Sequence, residues 1–247
     1  MSSQPSPTPS GLLLIDKHEG PTSMQICANI RARLRRAGAP KRIKVGHAGT
    51  LDPMATGLLV VLVGNCTKLC NEMMASTKGY ETTVDLSCVS DTDDAEGTIT
   101  QVPLAHGAVA PTREQITSAL APITGHVMQV PPLFSALHVG GERAYDLARE
   151  GRGALLPARP VHIHAISILK YEFPSLTLQI TCGKGVYIRS IARDLGKSLG
   201  TGGMLRALRR THAAPFDVAN ARTIASLPSE LVQQDLLPPP AAAAKHP

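Results

Sequence analysis

Tryptophan is absent from this chain of 247 residues, and only four tyrosines and three phenylalanines are present. A surface that grips single-stranded nucleic acid by stacking base after base needs more rings than that, although one or two well-placed rings suffice for one base. Cysteine is sparse as well. Cys27, Cys66, Cys70, Cys88 and Cys182 are odd in number and form no Cys-x-x-Cys pair. That pattern excludes a disulfide framework, argues against a zinc module and fits buried thiols in a reducing compartment. No apolar run is long enough to cross a bilayer. The opening "MSSQPSPTPS" lacks the basic and apolar regions of a signal peptide and the arginines of a transit peptide, so the cytoplasm is the expected location. Also missing are a Walker A loop, a dinucleotide fingerprint, His-Glu-x-x-His and Gly-x-Ser-x-Gly. The nine histidines show no ligand spacing. His162 and His164 lie two apart without a third partner in sequence, and no metal site is expected.

What the chain does carry is a moderate positive excess, +6 at neutral pH. That suits a nucleic-acid partner without requiring one. "GLLLIDK" predicts a buried strand, and Thr22 or Ser23 then caps a helix buried through Ile26, Ile30 and Leu34. The other side of that helix holds Arg31, Arg33, Arg35 and Arg36, continued by Lys41, Arg42 and Lys44. Two readings fit these cations: a solvated face favoured by the helix dipole, or contacts to phosphates. "GLLVVLVG" predicts a strand buried on both faces, and "KGYETTVDLSC" alternates with period two. "SDTDDAEGT" reads as an acidic turn without the spacing of a calcium loop. Thr112 and Gln115 form a capping box for a helix running to about Leu120. "VPPLFSALHVGGERAYDLAREG" predicts an extended piece, a turn and a helix stopped at Gly151. "VHIHAISILKYEF" and "LTLQITCG" predict an antiparallel pair. "GVYIRSIARDLGKSLG" switches to helical period, and "MLRALRRTH" reads as a further basic helix or turn. The sum is an α+β fold, a mixed and largely antiparallel sheet flanked by helices. Residues 1–10 and 223–247 are expected to be tails around one domain spanning 11–222.

One constellation carries chemistry. Asp52 sits in "GHAGTLDPMATG", a glycine-rich loop before an apolar strand; Tyr80 follows on the next strand; Tyr187 and Arg189 open a helix. An Asp-Pro pair ordinarily marks a turn. A carboxylate can instead serve as nucleophile or base, an arginine can orient it, and a tyrosine can stack on a planar substrate.

"GHAGTLDPMATGLLVVLVGNCTKL" resembles the signature of the TruB-type tRNA pseudouridine synthases. "KGYETTV", "SDTDDAEG", "VPPLFSALHVGGERAYDLAREG" and "GVYIRSIARDLG…LRALRRT" resemble further family blocks in the same order, over roughly residues 11 to 222. The resemblance implies a pseudouridine-synthase-like fold and isomerisation of the T-loop uridine 55 of tRNA, with neither metal nor cofactor. It implies that Asp52 is the catalytic aspartate, that Tyr80 stacks on the everted base and that Arg189 pairs with the aspartate. Tyr187 becomes a pocket neighbour, and His47 a residue that replaces or extracts the nucleotide. Gly49, Thr50 and Lys78 are carried over as substrate-side positions, although Lys78 also reads as a strand cap. Phe134 stands where the family usually has tyrosine, His138 where it usually has lysine, and "LSC" where it has Leu-Gly. Many relatives carry a small C-terminal RNA-binding module of the PUA type, and none is expected here. A monomer acting on the T-arm, away from any membrane, is the implied state. Two rivals stand beside this reading: a tRNA-binding or tRNA-folding protein without catalysis, and a metal hydrolase using Asp91, Asp93, Asp94 and Glu96.

Overall fold

The structure, a computed structural model, describes residues 8–107, 109–135, 138–139, 142–143 and 156–240. The helix expected to end at Gly151 lies outside them. In chain order the elements are β1 (Gly11–Lys17), α1 (Ser23–Arg36), β2 (Val45–His47), β3 (Thr56–Val63), α2 (Cys70–Ala75), β4 (Lys78–Asp85), β5 (Cys88–Ser90), β6 (Ile99–Gln101), α3 (Arg113–Leu120), β7 (Gly125–Gln129), β8 (His138–Val139), β9 (Glu142–Arg143), β10 (Arg159–Glu172), β11 (Ser175–Cys182), α4 (Ile188–Leu199), β12 (Met204–Ala213) and β13 (Phe216–Asp217). Antiparallel pairings dominate among those described, β3 and β12 pair in parallel, and the α+β expectation holds. Two compact units result, one from residues up to Lys78 together with those from Arg209 on, the other from Gly79 to Leu208.

In the first unit β3 is the centre. It pairs along its length with β1, from Gly11 opposite Val63 to Lys17 opposite Gly57. Its other edge takes β2 at Val61–Val63 and, in parallel, β12 at Thr56 and Gly57. Burial on both faces explains its unbroken apolar sequence. Leu12, Leu14, Leu58, Val60 and Leu62 form one core cluster with Ala48, Cys66, Met73 and Ala213. Helix α1 starts on a complete capping box, Thr22 with Gln25, and buries Ile26, Ile30 and Leu34 as its period requires.

Its arginines have work inside this unit. Arg33 donates to the carbonyls of Leu227, Pro228 and Ile224, Arg31 to that of Val45 and Arg35 to that of Lys41. Residues 223–237, expected as a tail, are thereby fastened down. Leu231 is fully buried, and Leu12 and Leu237 exchange a pair of backbone hydrogen bonds of 2.8 and 2.9 Å.

Gly57 has a φ of +95°, and a Cβ built there would lie 2.2 Å from the carbonyl oxygen of Arg210. Strain and clash add, so Gly57→Ala is expected to cost about 2–5 kcal/mol. A thermal melt checks this; an unchanged midpoint would contradict the close approach.

In the second unit the strand order is β12–β4–β11–β10–β7. β10 and β11 pair antiparallel, as their alternation predicts. Thr82 of β4 donates from Oγ1 to the carbonyl of Ala207 at 2.7 Å. Helix α4 buries Ile188, Ile191, Ala192 and Leu195, stops at Gly200 in the left-handed region and packs against α3. "MLRALRRTH" is a strand, not a helix or turn. Met204, Leu205, Leu208 and Arg210 are buried along it, and a buried arginine among exposed ones hides the strand pattern.

Candidate active site

The Asp52 loop in the first unit is framed by three buried side chains. Ser23 Oγ donates to the carbonyl of Leu51 at 3.0 Å and accepts from its N–H at 2.9 Å, so the residue before Asp52 is held by both its polar groups. Lys17, fully buried at the end of β1, donates from Nζ to the carbonyls of Pro53 and His18, each at 3.0 Å. The residue after Asp52 is therefore held as well. Arg210, 1% exposed, donates from Nε to Leu58 O at 2.7 Å, from one terminal nitrogen to Gly49 O at 3.1 Å and from the other to Thr50 O at 3.4 Å. Gly49 takes a φ of +109°, which its lack of a Cβ permits. The Asp52 carbonyl accepts from Ala55 N–H at 3.1 Å, closing the turn. Asp52 itself is half-buried on this fixed backbone, and Thr50 is exposed beside it.

His47, half-buried at the end of β2, has a buried Nδ1 without a hydrogen-bond partner. Burial first, and the charge of Arg210 second, hold its pKa below the usual histidine value. It is a neutral imidazole at pH 7. Lys78 is buried, and its ammonium donates to the carbonyls of Met73 (3.4 Å), Met74 (2.5 Å) and Ser76 (2.6 Å). The sequence leaves a substrate-side contact or a strand cap open; the ammonium here sits on carbonyls at the end of helix α2. Elsewhere on this unit Arg42, Lys44 and Lys68 line, with Asn65 and Thr67, a hollow of about 300 Å³.

Tyr80, Tyr187 and Arg189 belong to the second unit. Tyr80 is half-buried on β4. Tyr187 caps α4 in extended conformation, and its backbone N–H and C=O both bond the Gln129 side chain, at 2.9 and 3.1 Å. Arg189 lies in the first turn of α4, where the helix dipole disfavours a cation. Asp94 supplies a carboxylate there: Oδ2 is 3.3 Å from the guanidinium, and the two side chains are 3% and 7% exposed. Arg189 also donates to Thr92 O at 3.1 Å and to Phe134 O at 3.0 Å. The other oxygen of Asp94 accepts from Thr92 Oγ1 at 2.6 Å and from Glu96 N–H at 3.0 Å.

Sequence reasoning took this acidic stretch for turn formers and missed Asp94. Its only local cue was the Thr-x-Asp spacing; the decisive partner lies far along the chain. Asp93, with a φ of +62°, bonds Arg193 at 2.9 Å. Two of the four acids of the rival hydrolase reading, Asp93 and Asp94, are thus paired with arginines, and Asp91 accepts from the N–H of Thr98 at 2.8 Å. Among the described residues no group of three or more His, Cys, Asp or Glu is placed to hold a metal ion. The cysteines are free thiols, and burial pushes Cys27 up to about 11, which leaves it inert at neutral pH.

The family model described as "TruB family pseudouridylate synthase (N terminal domain)" matches residues 35–188, and "tRNA pseudouridylate synthase B C-terminal domain" matches residues 189–237. The chain belongs to the TruB family. A tRNA pseudouridine synthase B of Ruegeria pomeroyi is 45% identical over 216 residues, 87% of this chain and 68% of that protein. Proteins of the same name from Arthrobacter sp. and Corynebacterium jeikeium are 44% and 43% identical over 90% and 88% of this chain, and 72% and 71% of their own lengths. Among solved structures, a Cbf5-Nop10-Gar1 complex contains a chain matched with a TM-score of 0.62 at 26% identity, over 84% of this chain. This TruB-family chain spans 50% of that one. A chain of an H/ACA RNP bound to a substrate RNA containing 2'-deoxyuridine shares the fold, with a TM-score of 0.62 at 23% identity over 87% of this chain and 51% of that one. No helix among the described residues is long and apolar enough to cross a membrane.

Proposed function

We propose that this chain isomerises uridine to pseudouridine in tRNA, at position 55 of the T-loop, as a monomer in the cytoplasm. The N1–C1′ bond breaks, the uracil turns while still held, C5 bonds to C1′, the C5 hydrogen leaves as a proton and N1 takes up a proton, so that the product is an isomer of the substrate. Asp52 is the catalytic carboxylate, Tyr80 the ring that stacks on the everted base, Arg189 the cation of the site and Tyr187 its neighbour. His47, Gly49 and Thr50 meet the RNA from the Asp52 loop. The observation that carries this reading is the Asp52 loop itself: both residues flanking the aspartate are fixed by buried side chains, so one carboxylate is presented on a rigid backbone. Turning a base out costs a few kcal/mol, offset by stacking and backbone contacts. The hollow lined by Arg42, Lys44 and Lys68 suits phosphates of the RNA. His47, being neutral, contributes shape and hydrogen bonding rather than charge.

Tritium at uracil C5 reads the reaction directly. We expect this chain to release tritium from tRNA with a 5-labelled uridine 55, to do so in EDTA, and to release none when position 55 is cytidine. Release that requires a divalent ion, or that persists when position 55 is changed, would contradict the assignment. Tight tRNA binding without release would favour a tRNA-folding protein instead.

A further inference from the structure

We propose that Arg210 is a positioning residue for the Asp52 loop, acting on turnover without touching the RNA. This rests on the reading of Asp52 as the catalytic group. Burying a guanidinium is expensive unless its N–H groups are bonded. At 1% exposure Arg210 meets that cost with backbone carbonyls, those of Leu58, Gly49 and Thr50. Those carbonyls stand on the two arms of the Asp52 loop. Gly49 and Thr50 precede the aspartate, and Leu58 lies near the start of the strand that follows it. One planar, five-donor group therefore sets the separation and orientation of both arms.

The backbone of Arg210 is fixed in turn. It pairs with Gly57 across the parallel β12–β3 register, and Gly57 has no Cβ to hold the strands apart. Gly49 lies against the guanidinium at ordinary contact distance, 3.5 Å from a Cβ built there to its terminal nitrogen, and its φ of +109° is what favours glycine at this place. Ser23 and Lys17 fix the residues adjoining Asp52, whereas Arg210 fixes the span that carries them. Lysine cannot replace it, because an ammonium is a point charge without a rigid plane and cannot bridge the two arms in the same geometry.

The test is single-turnover tritium release by Arg210→Lys and Arg210→Gln at saturating tRNA, with the tRNA Kd measured separately. The rate constant reports chemistry in folded molecules, and the amplitude counts how many are folded and active. We expect Arg210→Lys to lower the rate constant about 10- to 100-fold, the loss that a displacement of about 1 Å brings, with Kd within about 3-fold of wild type. A wild-type rate constant with reduced amplitude, or no folded protein from either variant, would assign Arg210 to structure alone and overturn the proposal. A Kd that rises as far as the rate falls would make it an RNA contact and overturn it equally. Asp52→Asn runs in parallel. Turnover by Asp52→Asn defeats the reading of Asp52; no turnover there beside a wild-type Arg210→Lys defeats only the positioning role.

Discussion

Asp52→Asn is expected to abolish tritium release, lowering turnover at least about 10³-fold, while thermal stability and tRNA affinity stay near wild type. The magnitude follows from what a carboxylate supplies. General acid–base assistance is worth about 10²–10⁴-fold, and loss of an essential nucleophile costs on the order of 10⁶-fold. The clean separation from stability follows from the local geometry. Asn is isosteric with Asp, and the backbone around position 52 has supports besides the carboxylate. Leu51 is held by Ser23, Pro53 by Lys17, and the Asp52 carbonyl by the N–H of Ala55. The substitution therefore changes charge at one point of an unaltered loop. Single-turnover release, a melt and a tRNA-binding isotherm on one preparation check all three parts. A variant that turns over within about 10-fold of wild type would remove Asp52 from the chemistry; one that melts far lower would make it a structural turn residue.

Much of this arrangement was legible in the sequence because it rests on short-range regularities. The period of α1, its Thr22–Gln25 box, the alternation of β4 and the apolar run of β3 each report an element from residues a few places apart. What stayed hidden depends on partners far along the chain. Lys17 and Arg210 look like surface cations until their acceptors are seen to be backbone carbonyls of the Asp52 loop, groups that every residue carries. Arg210 also disguised its own strand, since a polar residue at an inward position breaks the alternation that would have announced β12. Residues 223–237 read as a tail because Leu227, Leu231 and Leu236 form no helical or strand period; they bury against the first unit one at a time. Asp94 was read by its turn chemistry, which is real, since it accepts from Thr92 and Glu96. The turn serves to aim its second oxygen at Arg189.

That aim has an energetic consequence large enough to measure. Asp94→Ala is expected to destabilise the protein by about 3–5 kcal/mol, because it removes one partner of a buried ion pair. At roughly 2–4 °C per kcal/mol for a chain of this size, the melting midpoint falls by about 6–20 °C. An exposed pair such as Lys170–Glu172, whose side chains are 76% and 80% exposed, would show no such effect, since solvent screens it. The backbone carbonyls of Thr92 and Phe134 still accept from Arg189 in the variant, but Thr92 Oγ1 and Glu96 N–H lose their acceptor, so the single variant mixes loss of charge with loss of two turn bonds. This sets up a test of sign. Adding Arg189→Met to Asp94→Ala removes the guanidinium that Asp94 faces, and the double variant should regain stability over Asp94→Ala, although its turnover is expected to be lost. Equal or lower stability in the double variant would mean that Asp94 matters through its bonds to Thr92 and Glu96 rather than through Arg189. Recovery would establish that Asp94 acts on stability through the Arg189 guanidinium that it faces.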